Sequence, residues 1–445
     1  MRYHLLGLLC LALVLVTLPC VVNAQGAQPA VLPTVTFPAQ TADFSLIDSH
    51  ALAAPQDAQQ SIALLAAYLI KGTSNDKEKA RAIFTWVANN VNYDYDSVAT
   101  GKWEQRPEFV LQQRCTDCLG RSRLFESLAH SAGLEAVVIG GNGKSLEVSS
   151  TPGTKYETVT PSGVVYDSHS WNAVKIDGKW QLIDVTWAGG GSKRNGKIEP
   201  TGPIDPYYFL VPPSEMIYTH FPNEDKWQLL DKPKTKAEQE RLPMLSNGFF
   251  KYGIGLLSHT ESTIQINDHV AVTMTAASGI AMCAELRQGG QKIEGQCVFS
   301  QRGAKSYEFY AVPPGPGTYI LRILARPVDQ PNAFWKCVND YKVEAKSGKP
   351  GSALPFVWDN FQTKGCYLVS PSSGVLESGK PQLFTISLPG ATSAGVQTGG
   401  QIILLEKQGN LFGGYVTLVP GDVLITACYP ERPDWNSGMV RYLAH

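Results

Sequence analysis

Apolar residues in the first part of the chain recur at helical spacing. In SIALLAAYLIKG, residues 61–72, they predict a short helix that Gly72 ends. The segment SNDKEKARAIFTWVANNVNYD opens on Asn75 as an N-cap, with Glu78 three residues on, and sets Ile83, Trp86, Val87 and Val91 on one face. A third helical pattern covers 118–132, with Leu124, Phe125, Leu128 and Ala132 on the buried side and Gly133 as punctuation. The period then falls to two. AVVIGG, 136–141, reads as a short buried strand, and after a Gly/Ser/Thr-rich loop SHSWNAVKIDGKWQLIDVTWAGG alternates as a hairpin. Aromatic and Pro-rich stretches fill 203–230, and the charged linker DKPKTKAEQER follows. Helices and strands together make 61–232 an α+β domain.

Beyond the linker the pattern is all β, and it repeats. Gly253-Ile-Gly-Leu-Leu-Ser258 matches Gly365-Cys-Tyr-Leu-Val-Ser370, each preceded by a phenylalanine, Phe249 and Phe361. PGTYILRILARP, 316–327, matches PGDVLITACYP, 420–430. Each unit runs about 90 to 105 residues of short strands and Gly/Pro turns, the size and texture of an immunoglobulin-like sandwich. Two such modules are expected, at 243–347 and 354–445.

The N-terminus adds an address. Arg2, the apolar run Leu5 to Leu18 and the small-residue site Val22-Asn23-Ala24 make residues 1–24 a secretory signal peptide, too short for a stable span. Residues 25–60, rich in Ala, Pro, Thr and Gln, read as a flexible leader. No later segment is apolar for long enough to cross a bilayer, so a secreted or periplasmic protein is expected. The absence of any Asn-x-Ser/Thr sequon leans towards a bacterial envelope. With 38 basic and 39 acidic residues there is no electrostatic case for nucleic acid or an anionic membrane. The cysteines beyond the signal peptide are Cys115, Cys118, Cys283, Cys297, Cys337, Cys366 and Cys428. An oxidising compartment pairs most of them and leaves one over. Cys283–Cys297 and Cys366–Cys428 are candidate bridges inside the modules. Cys115 is left to a staple, most simply with Cys337, or to a reversible disulfide with Cys118.

The hairpin is where chemistry enters. Asp177-Gly178 is a type I′ turn signal, which sets Ile176 opposite Lys179. Counting outward pairs Trp171 with Asp184 and His169 with Thr186. His169 and Asp184 then share a face as diagonal neighbours, roughly 7–8 Å apart at the backbone, within reach of an imidazole–carboxylate contact. A histidine oriented by a carboxylate is a base in need of a nucleophile. Cys118 supplies one, at the first turn of a helix whose free N–H groups and dipole favour a thiolate. Such a pair suits acyl transfer from an amide through a thioester. A zinc knuckle lacks its second ligand pair and a redox dithiol lacks its βαβ setting. His130, over three helical turns from Cys118, cannot be the base; His220 reads as a structural loop residue, and His259 and His269 lack a carboxylate partner. Trp171, Trp180 and Trp187 read as packing beneath and beside the site.

CLGRSRLFESLAHSAG, HSWNAVKIDGKW and LIDVTWAGG resemble the three motifs of the transglutaminase-like superfamily, a papain-related fold. The resemblance implies Cys118 as nucleophile, His169 as base and Asp184 as orienting acid. It also puts Gln112, six residues before Cys118, where papain-like enzymes carry an oxyanion-hole side chain. DPYYFLVPPSEMIYTHFP and WQLL are similar to the kyphoscoliosis-peptidase branch, whose members carry Ig-like modules behind the catalytic unit. The family pattern Gly-x-Cys-x-Gly-Tyr-Ala is altered here. Gly120 is kept, Arg121 and Ser122 replace Tyr and Ala, and Asp117 sets a negative charge beside the thiol. The leading expectation is a secreted cysteine peptidase, acyltransferase or deamidase acting on protein or peptide substrates, with no metal or cofactor. The alternative is a catalytically silent scaffold or adhesion protein that binds a protein partner through its Ig-like modules.

Overall fold

In the N-terminal domain, helical segments cover one face of a sheet whose other face carries a smaller apolar cluster. The structure, a computed structural model, describes residues 43–145, 157–159, 165–189, 191–200, 202–303, 306–351 and 354–445. The expected signal peptide lies outside these residues. The flexible leader expected over 25–60 is overturned in its last part, where Ser45–Leu52 is an α-helix. Its Asp48 carboxylate accepts from Arg81 Nε and Nη2, each at 2.7 Å, and from Thr85 Oγ1 at 2.6 Å. A composition that suggests disorder is outweighed by one anchored acid and the buried Ala51.

Arg81 and Thr85 belong to α1, Asp76–Asn90, which begins as expected with the Asn75 side chain accepting from Glu78 N at 2.9 Å. With Ile62–Leu69, α2 (Pro107–Gln113) and α3 (Cys118–Ser131), it encloses a core that includes Leu65, Ile83, Phe84, Phe125 and Leu128. Each such side chain, buried completely, stabilises the fold by ~1.5–3 kcal/mol.

The sheet has the order β5-β1-β2-β3-β4, built from β1 (Ala136–Ser145), β2 (Val165–Ile176), β3 (Lys179–Ile183), β4 (Phe209–Val211) and β5 (His220–Pro222), and every neighbouring pair is antiparallel. Val174, Ile176 and Ile183 join the helical core, while Trp171, Ala173 and Leu182 pack on the other side with Ile139, Val211 and Met216. The β2–β3 register is the expected one, from Ile176↔Lys179 to Asn172↔Ile183. Asp177 (φ 49°) and Gly178 (φ 75°) both take the positive φ that the tight turn requires. Asp184 therefore follows directly on the last ladder pair.

The C-terminal half is all β, and its two modules have the same strand succession. In the first, Met244–Leu245, Lys336–Ala345, Gly317–Pro327, Ile280–Gln288 and Gln291–Lys292 form one sheet, with Thr263–Ile266 added alongside Lys336–Ala345. The facing sheet is Gly255–Leu256, Val270–Thr275, Tyr307–Ala311 and Val298–Arg302. From Phe356 onward the same two sheets recur strand for strand. Phe249 and Phe361 occupy equivalent places on the short helices Asn247–Lys251 and Asp359–Thr363, both buried. The repeat seen in the sequence is thus a repeat of topology. The charged linker is structured too. It holds the helix Lys236–Arg241, and the buried Lys144 of β1 donates to the carbonyls of Gln239 (2.7 Å), Glu240 (3.2 Å) and Leu242 (2.5 Å).

Among the described residues no disulfide joins the seven cysteines, so the expected bridges are not formed. Cys366 is in the core of its module, its thiol 3.8 Å from Tyr429 Oη. Cys428 directly precedes Tyr429 on the strand Gly421–Tyr429, and alternation turns it to the opposite face. Cys337 lies 3.4 Å from Asp340 Oδ1 in the first module, whereas Cys115 is in the N-terminal domain, where burial and then the Asp94 charge raise its thiol to about 11. Cys283 and Cys297 line one cavity of 260 Å³, unbridged.

Candidate active site

Cys118 is the first residue of α3, and the residue before it sets its surroundings. Asp117 is the N-cap: its Oδ1 accepts from Gly120 N at 2.9 Å and its Oδ2 from Gln105 Nε2 at 2.6 Å. The charge expected to oppose a thiolate is thus spent on the helix's own N–H and on an amide. Such a cap stabilises a helix by ~1 kcal/mol. Gly120 has a steric reason to persist, because a Cβ there would lie 2.1 Å from Thr116 Oγ1.

The other two departures from the family motif tie α3 to the strands of the site. Arg121 is buried, and its Nη1 donates to the carbonyls of Val185 (3.2 Å) and Gly189 (2.9 Å), its Nη2 to that of Val91. Burial lowers the guanidinium to about 10, which leaves it a fixed positive charge at neutral pH, in the field of Asp184 and Cys118. Ser122 Oγ donates to Ser170 O at 3.0 Å, and Asn172 Nδ2 to Ser122 O at 3.0 Å. These bonds fix α3 against β2 one residue from His169.

His169 Nε2 donates to Asp184 Oδ2 at 2.7 Å, and Cys118 lines the same cleft as the ring, close enough to raise its pKa. With Nε2 engaged, Nδ1 is the nitrogen left for the sulfur. Burial alone would lower the imidazole, but the Asp184 charge and hydrogen bond, with the Cys118 contact, raise it to about 10. Asp184 is fully buried, which works against its ionisation. His169 and then His220 outweigh that and hold it well below the usual carboxylate range. Its second oxygen accepts from the N–H groups of Thr186 (2.7 Å) and Trp187 (2.9 Å).

The reading of His220 as a structural loop residue is corrected. His220 opens β5, is buried, and donates from Nε2 to Asp184 Oδ2 at 3.0 Å. Nothing local in YTHFP signals this. His220 reaches Asp184 only because β5 pairs with β1, His220 opposite Gly143, and β1 pairs with β2. Gly143 gives room for Trp187, whose Cζ2 would lie 3.2 Å from a Cβ there, and Trp187 packs on both imidazoles at ring-centroid distances of 4.3 and 5.4 Å.

Cys118 and His169 open on a cleft of 650 Å³ walled by Tyr93, Tyr95, Trp103 and Trp187. Gln112 is not part of it. The side chain lies exposed near the end of α2 and its Nε2 points to Gln60 O at 3.3 Å. The left-handed Arg114 (φ 57°) reverses the chain between Gln112 and Cys118, so counting back along the sequence does not lead into the site. Gln105 lines the cleft instead. Among the described residues His169, Asp184 and His220 are a group able to hold a metal ion, with ligand atoms within 4.8 Å of one another. As they stand these atoms satisfy one another, and a cation would have to displace both ring protons.

Residues 63–185 match the transglutaminase-like superfamily, and residues 236–353 match the KY-like, immunoglobulin-like domain. The chain is 30% identical over 260 residues to kyphoscoliosis peptidase of Mus musculus, covering 58% of this chain and 37% of that protein. It is 28% identical over 315 residues to kyphoscoliosis peptidase of Homo sapiens, covering 70% and 45% respectively. To hillarin of Drosophila melanogaster it is 29% identical over 280 residues, covering 60% and 32%. In each case the match spans less than half of the relative's length. With motifs, fold and likenesses in agreement, residues 63–185 carry a transglutaminase-like domain, and the chain's likenesses support the KY-like branch.

Proposed function

We propose that the protein is a cysteine enzyme that cleaves or exchanges amide bonds of protein or peptide substrates through a thioester on Cys118. One observation carries this reading: a thiol at a helix start shares the wall of an open cleft with an imidazole whose Nε2 is 2.7 Å from a buried carboxylate. The proton of Cys118 rests on His169 as an imidazolium, and the thiolate attacks the substrate carbonyl carbon. The carbon–nitrogen bond then breaks as the imidazolium gives its proton to the leaving amine. Water or a second amine attacks the thioester, releasing acid or new amide and restoring the thiol. With Gln112 turned away, the N–H groups of the first turn of α3 are the donors at hand for the developing oxyanion. The signal-peptide reading of residues 1–24 adds to the proposal that the enzyme works outside the cytosol.

The test is mass spectrometry of peptide pools incubated with the full chain, with and without a primary amine. Cleavage, deamidation or amine incorporation, each lost in Cys118→Ala, is the expected result. Turnover that survives this substitution overturns the mechanism. A protein-binding role for the modules is a second, compatible reading. The edge strand Gln401–Leu404 favours it, exposing Ile402, Ile403 and Leu404 where the equivalent strand of the first module is Gln291–Lys292.

A further inference from the structure

Every acceptor direction of the buried Asp184 carboxylate is occupied, and one of its four partners has no part in the proton transfers above. Oδ1 takes the N–H groups of Thr186 and Trp187, and Oδ2 takes His169 and His220. His220 is itself held. Thr219 Oγ1 lies 2.9 Å from its Nδ1 and 3.3 Å from Met216 O; with Nε2–H turned to Asp184, the neutral ring's Nδ1 is the nearer acceptor for the hydroxyl proton. Trp171 meets the ring edge to face at a centroid distance of 5.0 Å, and Trp187 lies 4.3 Å from it on another side. A neutral ring in this box donates one hydrogen bond in one direction.

We propose that His220 is a positioning residue: through its Nε2–H it fixes the Asp184 carboxylate so that the His169 ring keeps its other nitrogen on Cys118. The inference rests on the enzymatic reading given above. Without the fourth donor, Oδ2 is held by His169 alone and the carboxylate can pivot about its Oδ1 contacts to Thr186 and Trp187, taking His169 with it. Burial, followed by the charge of His169, keeps His220 below its ordinary pKa against the pull of Asp184, so it adds no second positive charge to compete for the carboxylate.

The test is the pH profile of iodoacetamide alkylation at Cys118 in the full chain, followed by peptide mass spectrometry, which needs no substrate. The wild type should label faster at neutral pH than an ordinary thiol. His220→Phe keeps the ring volume but lacks the donor, and should label about ten-fold more slowly, the size of a lost hydrogen bond to a charged group. His220→Gln keeps an N–H at the same reach and should recover most of the rate. On a peptide substrate His220→Phe should lower kcat and leave KM. If His220→Phe does not fold, Thr219→Val, which frees the tautomer, should slow labelling in the same direction and by less. An activated wild type with unchanged His220→Phe and Thr219→Val profiles overturns the positioning role alone. A wild type that labels as an ordinary thiol overturns the enzymatic reading, and this inference with it. A wild-type profile altered by EDTA assigns the trio to a cation and also overturns the inference.

Discussion

At the centre of the first module stand Phe309, Leu321 and Val338, and at the centre of the second Phe384, Ile386 and Val423, all without exposure. The N-terminal domain, beside its own apolar core, buries at its site Arg121, Ser122, Asn172, His169 and Asp184, none more than 6% exposed. An apolar centre is stabilised by burial itself. A polar centre costs several kcal/mol unless each group is met, so its stability depends on hydrogen-bond geometry. The modules therefore tolerate exchange of one apolar side chain for another of like volume, whereas the domain holds its side chains in fixed directions. Fixed directions are what a thiol, an imidazole and a carboxylate need in order to act together.

The largest expected difference is in activity. Cys118→Ala should bring turnover below detection while leaving the unfolding transition where it was, because the change is a single sulfur at the cleft wall. Asp184→Asn should cost about 10³- to 10⁴-fold in kcat, the scale seen when an orienting carboxylate becomes an amide and the histidine takes the wrong tautomer. A purely structural carboxylate would show itself as lost stability with activity per folded molecule retained.

The next contrast is in stability. Phe384→Ala in the second module should lower the unfolding free energy by about 3–5 kcal/mol, the cost of truncating a buried aromatic. Activity measured where the chain is still folded should not change. Arg121→Met should lower stability less, by about 2–3 kcal/mol, since the carbonyls of Val91, Val185 and Gly189 lose their donor. Activity should nevertheless fall, because α3 is no longer tied to the Asp184 loop. Denaturant unfolding and turnover on the same samples check both, and equal effects of the two substitutions on turnover would break the contrast between the regions.

How far these centres can be read from sequence follows from the same difference. The hairpin carries its own ruler. A turn at Asp177-Gly178 and a period of two bring His169 and Asp184 together with no knowledge of the rest of the fold. The apolar module cores repeat as phenylalanines and Gly/Pro turns, which pattern alone detects. His220 reaches Asp184 across two strand pairings, β5 on β1 and β1 on β2, and no local spacing encodes a sheet order. Gln112 fails for the converse reason. Its distance from Cys118 along the chain is short, but the left-handed Arg114 intervenes and turns it outward. The expected Cys366–Cys428 bridge ignores alternation, which composition does not reveal.

Titration separates the regions next. His169 is raised to about 10 from an ordinary 6.5, its burial outweighed by Asp184 and Cys118. Its contribution to stability is complete below about pH 6.5 and is lost as the pH rises towards 10. Asp184 acts in the opposite sense, its contribution present above the ordinary carboxylate range and lost on acidification. The unfolding free energy should therefore decline on the alkaline side in the wild type and decline less in His169→Gln. An identical alkaline slope in both would place the titrating group elsewhere, the modules included.

The smallest expected effect decides what Asp117 contributes. Its two roles, a cap on α3 and a negative charge beside Cys118, come apart in two substitutions. Asp117→Asn keeps an oxygen for Gly120 N and removes the charge; Asp117→Ala removes both. If the cap is what matters, Asp117→Asn should stay within about 0.5 kcal/mol of the wild type and Asp117→Ala should lose about 1 kcal/mol. Alkylation of Cys118 should then change little in Asp117→Asn, since the carboxylate faces the helix N–H and Gln105. A clear rise in the alkylation rate of Asp117→Asn would mean instead that the charge restrains the thiolate, and that this chain keeps a slower nucleophile than the family motif would give it.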